Sequence, residues 1–251
     1  MTGPLPILTK WCNDLALPLD DATAVRLASY LDFLLDTNQG MNLTRITDPD
    51  DAQIKLLADS LDLLRFIPDD AHSVIDIGSG GGVPGMPIAI ARPDLFVTLV
   101  DATAKKVRFL DEAAHQLEMT NVEAIQARAE ELGRNPKRRE RFAVATARAV
   151  ARLATLAELT LPFVRLGGVA ILPKGSAADE ELAEAAYAIG MLGGRARGVI
   201  QSNVAGTRIV VIDKVRATPA QFPRRTGMPN SRPLLSESPA SPGSSTPTGA
   251  A

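Results

Sequence analysis

Cysteine and histidine are almost absent from this chain of 251 residues, which has one cysteine, Cys12, and two histidines, His72 and His115. A single cysteine cannot form an internal disulfide, and the two histidines are far apart in the sequence. The sequence therefore predicts neither a disulfide framework nor a metal centre. This cysteine usage is typical of a reducing compartment, so we expect a cytoplasmic protein.

Long apolar segments are also missing. The N-terminus lacks a basic start followed by a continuous apolar stretch, and no later segment approaches the length that a transmembrane helix needs. We therefore expect neither secretion nor a membrane partner. The length suits one catalytic domain with short extensions.

Aromatic residues make up only 4% of the chain, and the formal net charge is −2. A core with few aromatics must be built mainly from Ala, Leu, Val and Ile, which favours helices packed on a parallel sheet. The small net charge gives no global attraction to nucleic acid. Any RNA binding must therefore depend on local basic patches.

The chain divides into two parts with different hydrophobic patterns. Apolar residues recur at helical spacing over 22–38 and again over 50–65, which predicts a helical N-terminal quarter. From Val74 onward, short β-prone runs alternate with alanine-rich helical stretches, the pattern of βα units around a parallel sheet. The predicted strands are VIDIG (74–78), FVTLVD (96–101), VEAIQA (122–127), FAVATAR (142–148), VAILPK (169–174) and RIVVIDKV (208–215). The predicted crossover helices are 84–91, 103–118, 151–164 and 177–192.

The densest chemical signal is VIDIGSGGGVPG (74–85), an apolar strand that leads into five glycines and then a helix. Glycines at this place let the backbone turn sharply and let a ligand lie against main-chain N–H groups. Asp76 lies inside the strand, where a buried acid needs a partner. That partner is either an ammonium group on the ligand or the amides of the loop itself.

A second acid, Asp101, ends the next predicted strand, where such folds hydrogen-bond a ribose hydroxyl pair. Nicotinamide enzymes share this acid, but their G-x-G-x-x-G spacing fits the glycines here only with an insertion. The loop therefore favours S-adenosylmethionine over a dinucleotide. After the third strand, Ala129 and Glu130 are candidates to frame an adenine, and the alternative is an ordinary helix start with acids in its first turn.

Basic residues concentrate in RNPKRRER (134–141), in PRR (223–225) and at Lys105, Lys106 and Arg108. We interpret 134–141 as a solvated surface, because acids are mixed into it, with RNA contact as the alternative. Arg224 and Arg225 are instead predicted to contact RNA phosphates, as is Lys174 at the end of the fifth strand.

In their order along the chain, these motifs resemble the ribosomal RNA small-subunit methyltransferase G family, also called glucose-inhibited division protein B. The likeness covers roughly residues 25–234. It is carried by NLTRI (42–46), VIDIGSGGGVPGMPIAI, VDATAKKVRFL, ARAEE, ATARAVARLATLAEL, LPKG and FPRRTGMP. The resemblance implies an α/β class I methyltransferase (Rossmann-like) fold, a mostly parallel sheet with helices on both faces and an antiparallel last strand. It also implies methyl transfer from S-adenosylmethionine to guanine N7 of 16S ribosomal RNA.

The resemblance assigns cofactor positions residue by residue. They fall on Gly78, Val83, Ala129, Glu130 and Arg148. The glycine-loop reasoning adds Asp76, Gly80 and Asp101 to this cofactor set. The chain departs from the family at Leu56, where many members carry a histidine three residues before the pair that is Asp59-Ser60 here.

Arg148, which ends the fourth predicted strand, is the candidate catalytic residue. Its planar donor fork can hold the guanine or a phosphate, and the alternative is a structural pair with an acid such as Glu130. Guanine N7 has a free lone pair, so proximity and orientation should supply most of the rate without a general base. The segment Ala147-Arg148-Ala149-Val150 replaces the Asn/Asp-Pro-Pro-aromatic motif of amine methylation, and Cys12 lies far from any strand end.

These inferences divide the chain into four parts. We expect an N-terminal helical extension (1–68), an S-adenosylmethionine-binding methyltransferase domain (69–218), a basic C-terminal segment packed on it (219–235) and a disordered tail (236–251). The expected partner of a monomeric enzyme is 16S ribosomal RNA or the small ribosomal subunit. Two alternatives stay open: a methyltransferase of the same fold that acts on a small molecule, and a non-catalytic RNA-binding protein.

Overall fold

A seven-stranded sheet lies at the centre of the protein, whose computed structural model describes residues 5–15, 17, 19–148 and 151–235. Its strands are β1 (Ser73–Ile77), β2 (Phe96–Asp101), β3 (Val122–Gln126), β4 (Phe142–Thr146), β5 (Val164–Lys174), β6 (Gly194–Gln201) and β7 (Arg208–Lys214). Their spatial order is β3-β2-β1-β4-β5-β7-β6. Strands β1 to β5 pair in parallel, and β7 runs antiparallel to β5 and β6. The predicted α/β class and antiparallel last strand are confirmed.

The strand order reverses between β1 and β4, which pair directly through Val74 and Val144. From β1 the chain builds outward to β2 and β3 and then returns to β4 on the other side. Open parallel sheets bind ligands beyond the carboxyl ends of their strands at such a reversal. The glycine loop follows β1 and Arg148 follows β4, so both lie at this edge.

Helices cover both faces of the sheet, as predicted. They are α5 (Gly85–Ala91), α6 (Ala104–Gln116), α7 (Ala129–Leu132), α8 (Leu153–Thr160) and α9 (Ala178–Met191). Side chains along a strand alternate between faces. Leu99 of β2 therefore packs in one hydrophobic cluster with α5 and α6, whereas its neighbour Val100 packs in a second cluster with α8 and α9.

The N-terminal part is helical. It contains α1 (Pro6–Asp14), α2 (Asp21–Met41), α3 (Pro49–Ala52), a π-helical turn (Gln53–Ala58), α4 (Asp59–Leu61) and a 3-10 turn (Asp62–Phe66). Helix α2 begins where the Asp20 carboxylate accepts a hydrogen bond from Thr23 N at 2.7 Å, and it ends at Asn42 in the left-handed region. Buried Tyr30 and Leu34 pack in the same cluster as Leu99 of β2.

Within the described ranges, none of the helices is both long enough and apolar enough to cross a bilayer.

Several local features differ from the sequence prediction. The helix predicted over 151–164 begins at Leu153 and ends at Thr160, because Val164 already starts β5. The stretch 50–65 is not one regular helix, since a π-helical turn interrupts it. The sequence prediction contains no strand over 194–201, where β6 lies at the sheet edge with glycines and arginines in its pattern. A short helix, α10 (Met228–Ser231), follows the sheet. The tail prediction for 236–251 falls outside the described residues.

Candidate functional site

The glycine loop is anchored to the neighbouring strand by its own backbone. Gly78 N and Ser79 N both donate to the Val100 carbonyl, at 2.8 and 3.0 Å. Gly78 and Gly80 have φ angles of 73° and 59°, in the left-handed region that side chains with a Cβ disfavour. The sequence therefore places glycine where the chain must turn sharply beyond β1.

Asp101 ties the loop to the end of β2. Its Oδ2 accepts a hydrogen bond from Gly80 N at 3.1 Å, and its Oδ1 accepts one from Thr103 N at 2.8 Å. The Lys106 ammonium lies 3.7 Å from the same carboxylate. Asp101 is thus held at the carboxyl edge of the sheet, where the sequence predicts a ribose contact.

Asp76 lies fully buried beneath the loop. Its Oδ2 accepts a hydrogen bond from Gly85 N at 3.1 Å, whereas its Oδ1 is buried without a hydrogen-bond partner among the described residues. Burial raises the pKa of this carboxyl to about 7, against the lowering effects of the Gly85 amide, a Ser79 hydrogen bond and the Arg148 charge. One oxygen therefore caps the start of α5, as one of the two alternatives predicted, and the other is enclosed by the protein.

A cavity of about 450 Å³ opens between Gly78, Asp101 and the C-terminal segment, and the fully buried Asp76 does not line it. Four of the predicted cofactor residues line it, namely Gly78, Asp101, Ala129 and Glu130. We call it the loop cavity. Val83 is buried in the core cluster on one face of the sheet and does not line it. Gly80 reaches the loop cavity only through the hydrogen bond from its amide to Asp101.

The C-terminal segment forms one wall of the loop cavity, through Thr226, Gly227 and Asn230. Gly227 N donates to Glu130 Oε1 at 2.8 Å, which joins the segment to the start of α7. The Thr155 hydroxyl of α8 donates to the carbonyl of Pro229 at 2.9 Å. The sequence reasoning missed these wall residues, although they lie in and just after the family-like FPRRTGMP motif.

Arg224 has a different environment from the one predicted. Its guanidinium donates from Nε and Nη2 to Glu158, at distances down to 2.7 Å, and its own amide donates to the same carboxylate. The Glu158 side chain is fully buried, and only 21% of the Arg224 side chain is exposed. Arg224 therefore holds the C-terminal segment on α8, with most of its side chain withdrawn from solvent. Arg225 beside it is exposed.

The basic run 134–141 is predicted to be a solvated surface, and Arg134, Lys137 and Arg141 are exposed, but two of its arginines also contact the C-terminal segment. Arg134 Nε donates to the carbonyl of Pro223 at 2.8 Å. Arg139 donates to the carbonyls of Thr218 and Phe222, each at 2.7 Å. Two of the five basic residues in this run therefore fix the C-terminal segment, because guanidinium groups can satisfy several carbonyls at once.

Arg148 lies in a second cavity, of about 330 Å³, at the ends of β4 and β5. Its Nη1 donates to the carbonyl of Lys55 at 2.7 Å and lies 3.6 Å from Asp59 Oδ2. An acid does face Arg148, as the structural alternative predicts, but it is Asp59 and not the suggested Glu130. Lys174 lines the same cavity, where its Nζ lies 2.8 Å from Glu181 Oε2.

A larger cavity, of about 880 Å³, lies among the N-terminal helices α1, α2 and α3. None of the predicted site residues lines it. The buried Gln53 at its edge is occupied structurally, because its Oε1 accepts a hydrogen bond from Ile7 N at 3.1 Å at the start of α1. The two cavities at the strand ends are therefore the better candidates for a functional site.

The family model described as rRNA small subunit methyltransferase G matches residues 24–208. The chain is 43% identical over 234 residues to the ribosomal RNA small subunit methyltransferase G of Roseiflexus castenholzii, covering 92% of this chain and 98% of the relative. It is 39% identical over 228 residues to the enzyme of the same name from Leuconostoc citreum, covering 88% and 95%.

Solved structures agree on the fold. A Corynebacterium glutamicum protein superposes with a TM-score of 0.55 at 12% identity, covering 82% of this chain and 95% of its own. An Aquifex aeolicus structure described as a SAM dependent methyltransferase gives a TM-score of 0.54 at 14% identity, covering 69% and 97%. At such low identity these matches show the shared architecture alone.

Proposed function

The chain belongs to the rRNA small subunit methyltransferase G family, and we propose that it transfers a methyl group from S-adenosylmethionine to N7 of a guanine in 16S ribosomal RNA. The observation that carries the proposal is the loop cavity, where the glycine turn and Asp101 lie at the reversal point of the sheet. The proposal also includes action as a monomer in the cytoplasm, where small ribosomal subunits are found.

The residues around the loop cavity fit S-adenosylmethionine. Asp101 carries a carboxylate at the position that binds a ribose hydroxyl pair in such folds. Ala129 and Glu130 line the cavity beyond β3 and would frame the adenine. Asp76 lies beneath the glycine loop and does not line the cavity, but its buried Oδ1 lacks a hydrogen-bond partner among the described residues. This oxygen suits the ammonium of the methionine part, because a buried carboxylate oxygen needs a donor. When bound, the cofactor supplies a methyl group that is activated by its sulfonium.

The chain contributes alignment to this reaction. Guanine N7 carries a lone pair at neutral pH, so no side chain has to remove a proton from it. Arg148 lies at the end of β4 and carries a donor fork that can hold a base or a phosphate. In this role it orients the target base beside the loop cavity, and orientation supplies most of the rate.

RNA contact is assigned to exposed cations near the two cavities. Arg225 is exposed next to the wall of the loop cavity, and Lys105 and Arg108 are exposed on α6. Lys174 is only 10% exposed and is engaged by Glu181, so any RNA contact by Lys174 requires that this ion pair rearrange. Phosphate contacts of this kind position the RNA without reading its sequence.

Methyl transfer to isolated subunits tests the proposal. Small subunits from a strain that lacks this gene are incubated with the purified chain and methyl-labelled S-adenosylmethionine. We expect label in 16S RNA at one guanine, at which borohydride and aniline treatment cleaves the chain as it does at N7-methylguanine. Label in a metabolite pool and none in RNA would favour a small-molecule methyltransferase, and absence of cofactor binding in calorimetry would favour a non-catalytic RNA-binding protein.

A further inference from the structure

The second cavity contains an acid that the sequence reasoning did not select. We call it the Arg148 cavity, and its lining includes Asp59, Arg148, Lys174, Glu181 and Thr207. Asp59 belongs to α4 of the N-terminal part, whereas Arg148 and Lys174 follow strands of the sheet. The cavity therefore lies where the N-terminal helices meet the carboxyl edge of the sheet.

Asp59 is buried with unused hydrogen-bonding capacity. The residue is 7% exposed, and its Oδ1 is buried without a hydrogen-bond partner among the described residues. Its Oδ2 reaches Arg148 only at 3.6 Å, which is longer than a normal hydrogen bond. Burial raises the pKa of Asp59, opposed by the Thr207 hydroxyl and by Arg148. A buried carboxylate with so few partners is costly unless a ligand completes it.

Asp62, three residues further along the same helical stretch, shows how a purely structural acid is treated in this protein. Asp62 is 1% exposed, yet its two oxygens accept hydrogen bonds from the Ser202 hydroxyl at 2.8 Å, from Asn203 N at 3.0 Å and from Asn203 Nδ2 at 2.6 Å. The fold thus satisfies one buried acid completely and leaves Asp59, on the wall of a cavity, incomplete.

The Arg148 cavity adjoins the loop cavity. Lys174 Nζ donates to the carbonyl of Ala151 at 3.0 Å, and Ala151 lines the loop cavity. The positive charge of Arg148 also acts to lower the pKa of both Asp59, in the Arg148 cavity, and Asp76, beneath the glycine loop. The π-helical turn Gln53–Ala58 precedes Asp59 and supplies the Lys55 carbonyl that Arg148 binds. Such turns are rare and are frequent at functional sites.

We propose that the Asp59 carboxylate recognises the Watson–Crick edge of the target guanine by accepting hydrogen bonds from its N1–H and N2–H groups. Among the RNA bases, guanine presents these two donors side by side, and a carboxylate presents two acceptors with matching separation. The N7 atom lies on the opposite side of the base, so this grip leaves N7 free to face the loop cavity. The proposal rests on the proposed function, because it assumes a guanine target.

Inosine at the target position tests the contact, because inosine lacks the N2 amino group and keeps N7. Small subunits are reconstituted with 16S RNA that carries guanosine or inosine at the target nucleotide, which the methyl-mapping experiment identifies. We expect the unaltered enzyme to methylate the inosine substrate about 10- to 100-fold less efficiently, as for loss of one charged hydrogen bond. Equal rates on the two substrates in the unaltered enzyme would overturn the proposal without any variant.

Asp59→Ala, which removes both acceptor oxygens, separates recognition from a purely supporting role toward Arg148. If Asp59 accepts the N2–H bond, the variant loses efficiency on guanosine and no longer distinguishes inosine from guanosine by more than about twofold. If Asp59 only positions Arg148, the variant methylates both substrates more slowly but still prefers guanosine over inosine by the same factor as the unaltered enzyme. That result overturns the proposal. Affinity for S-adenosylmethionine, measured by calorimetry, should stay unchanged.

Asp51→Ala is the matched control, because it removes an equal charge from the same helical stretch at an exposed ion pair with Lys55. We expect this control to keep both the rate and the base discrimination. If the unaltered enzyme methylates no guanine in the small subunit, the proposed function fails and this inference fails with it. If the enzyme instead methylates the guanine normally but methylates inosine equally well, the inference is overturned and the proposed function stands.

Discussion

Arg224 and Arg225 provide a direct test of what holds the wall of the loop cavity in place. Arg224 donates to the buried Glu158 carboxylate, while Arg225 next to it is exposed. We expect Arg224→Ala to lower both the free energy of unfolding and the affinity for S-adenosylmethionine. Arg225→Ala removes the same charge one residue away and should change neither, so it is the matched control.

The size of the effect follows from the burial of Glu158. Removing one partner of a buried ion pair costs about 3–5 kcal/mol, because the other charge is left uncompensated. Since 21% of the Arg224 side chain is exposed, water can partly replace it, so we expect the lower end, about 3 kcal/mol of unfolding free energy. Release of the segment also removes Thr226, Gly227 and Asn230 from the cavity wall. We expect a loss of cofactor affinity of about tenfold or more.

Three measurements on each variant decide the question. Urea denaturation gives the free energy of unfolding, calorimetry gives the affinity for S-adenosylmethionine, and binding to 16S RNA over a salt series gives the number of phosphate contacts. Arg225→Ala should reduce the slope of log affinity against log salt by about one. If Arg224→Ala keeps normal stability and cofactor affinity, the C-terminal segment is not held by this ion pair, and the reasoning is refuted.

Three further substitutions probe the glycine loop. Asp101→Ala should weaken S-adenosylmethionine binding by about 1.5–3 kcal/mol in calorimetry while circular dichroism stays native, and unchanged affinity would remove Asp101 from the site. Gly80→Val should abolish methyl transfer, because a φ of 59° strains a residue that carries a Cβ. The nearest atom to an added Cβ is 3.8 Å away, so the expected loss comes from backbone strain and not from a clash, and normal turnover would contradict it. Tyr30→Phe removes the 2.6 Å hydrogen bond to the Gly81 carbonyl and should lower unfolding free energy by about 1–3 kcal/mol, which an unshifted denaturation midpoint would disprove.

Much of the fold could be predicted because most strands have a local sequence signature. The strand FVTLVD was placed at its observed bounds, since a continuous apolar run is what a strand buried on both faces requires. Strand β6 could not be predicted, because it lacks such an apolar run. It lies at the sheet edge, and Gly194, Gly198 and its arginines give it no apolar run.

The meeting of Gly78, Asp101 and Glu130 in one cavity could be predicted from chain topology alone. Each follows or ends one of three adjacent parallel strands, and the carboxyl ends of such strands share one edge. Their roles toward a cofactor remain proposals. The positions of these three groups depend on strand order and not on side-chain contacts, which is why the sequence pattern could predict them.

Contacts between distant residues were beyond the sequence pattern. Arg224 and Glu158 are 66 residues apart, and Arg139 and Phe222 are 83 apart, so nothing local indicates that they meet. A basic run looks the same whether it meets water, RNA or the carbonyls of a remote segment. Asp59 was passed over for a similar reason, because an acid on an amphipathic helix looks like a surface residue until the helix is seen against the sheet.

The wall that Thr226, Gly227 and Asn230 provide has a consequence for the order in which the protein matures during its synthesis. The glycine loop, Asp101 and Glu130 leave the ribosome first, and β7, which pairs between β5 and β6, follows only after β6. The loop cavity gains its last wall when the segment after β7 emerges. A chain that stops before Thr226 therefore lacks a complete cofactor cavity, so we expect the protein to bind S-adenosylmethionine only after the segment that follows β7 has been synthesised.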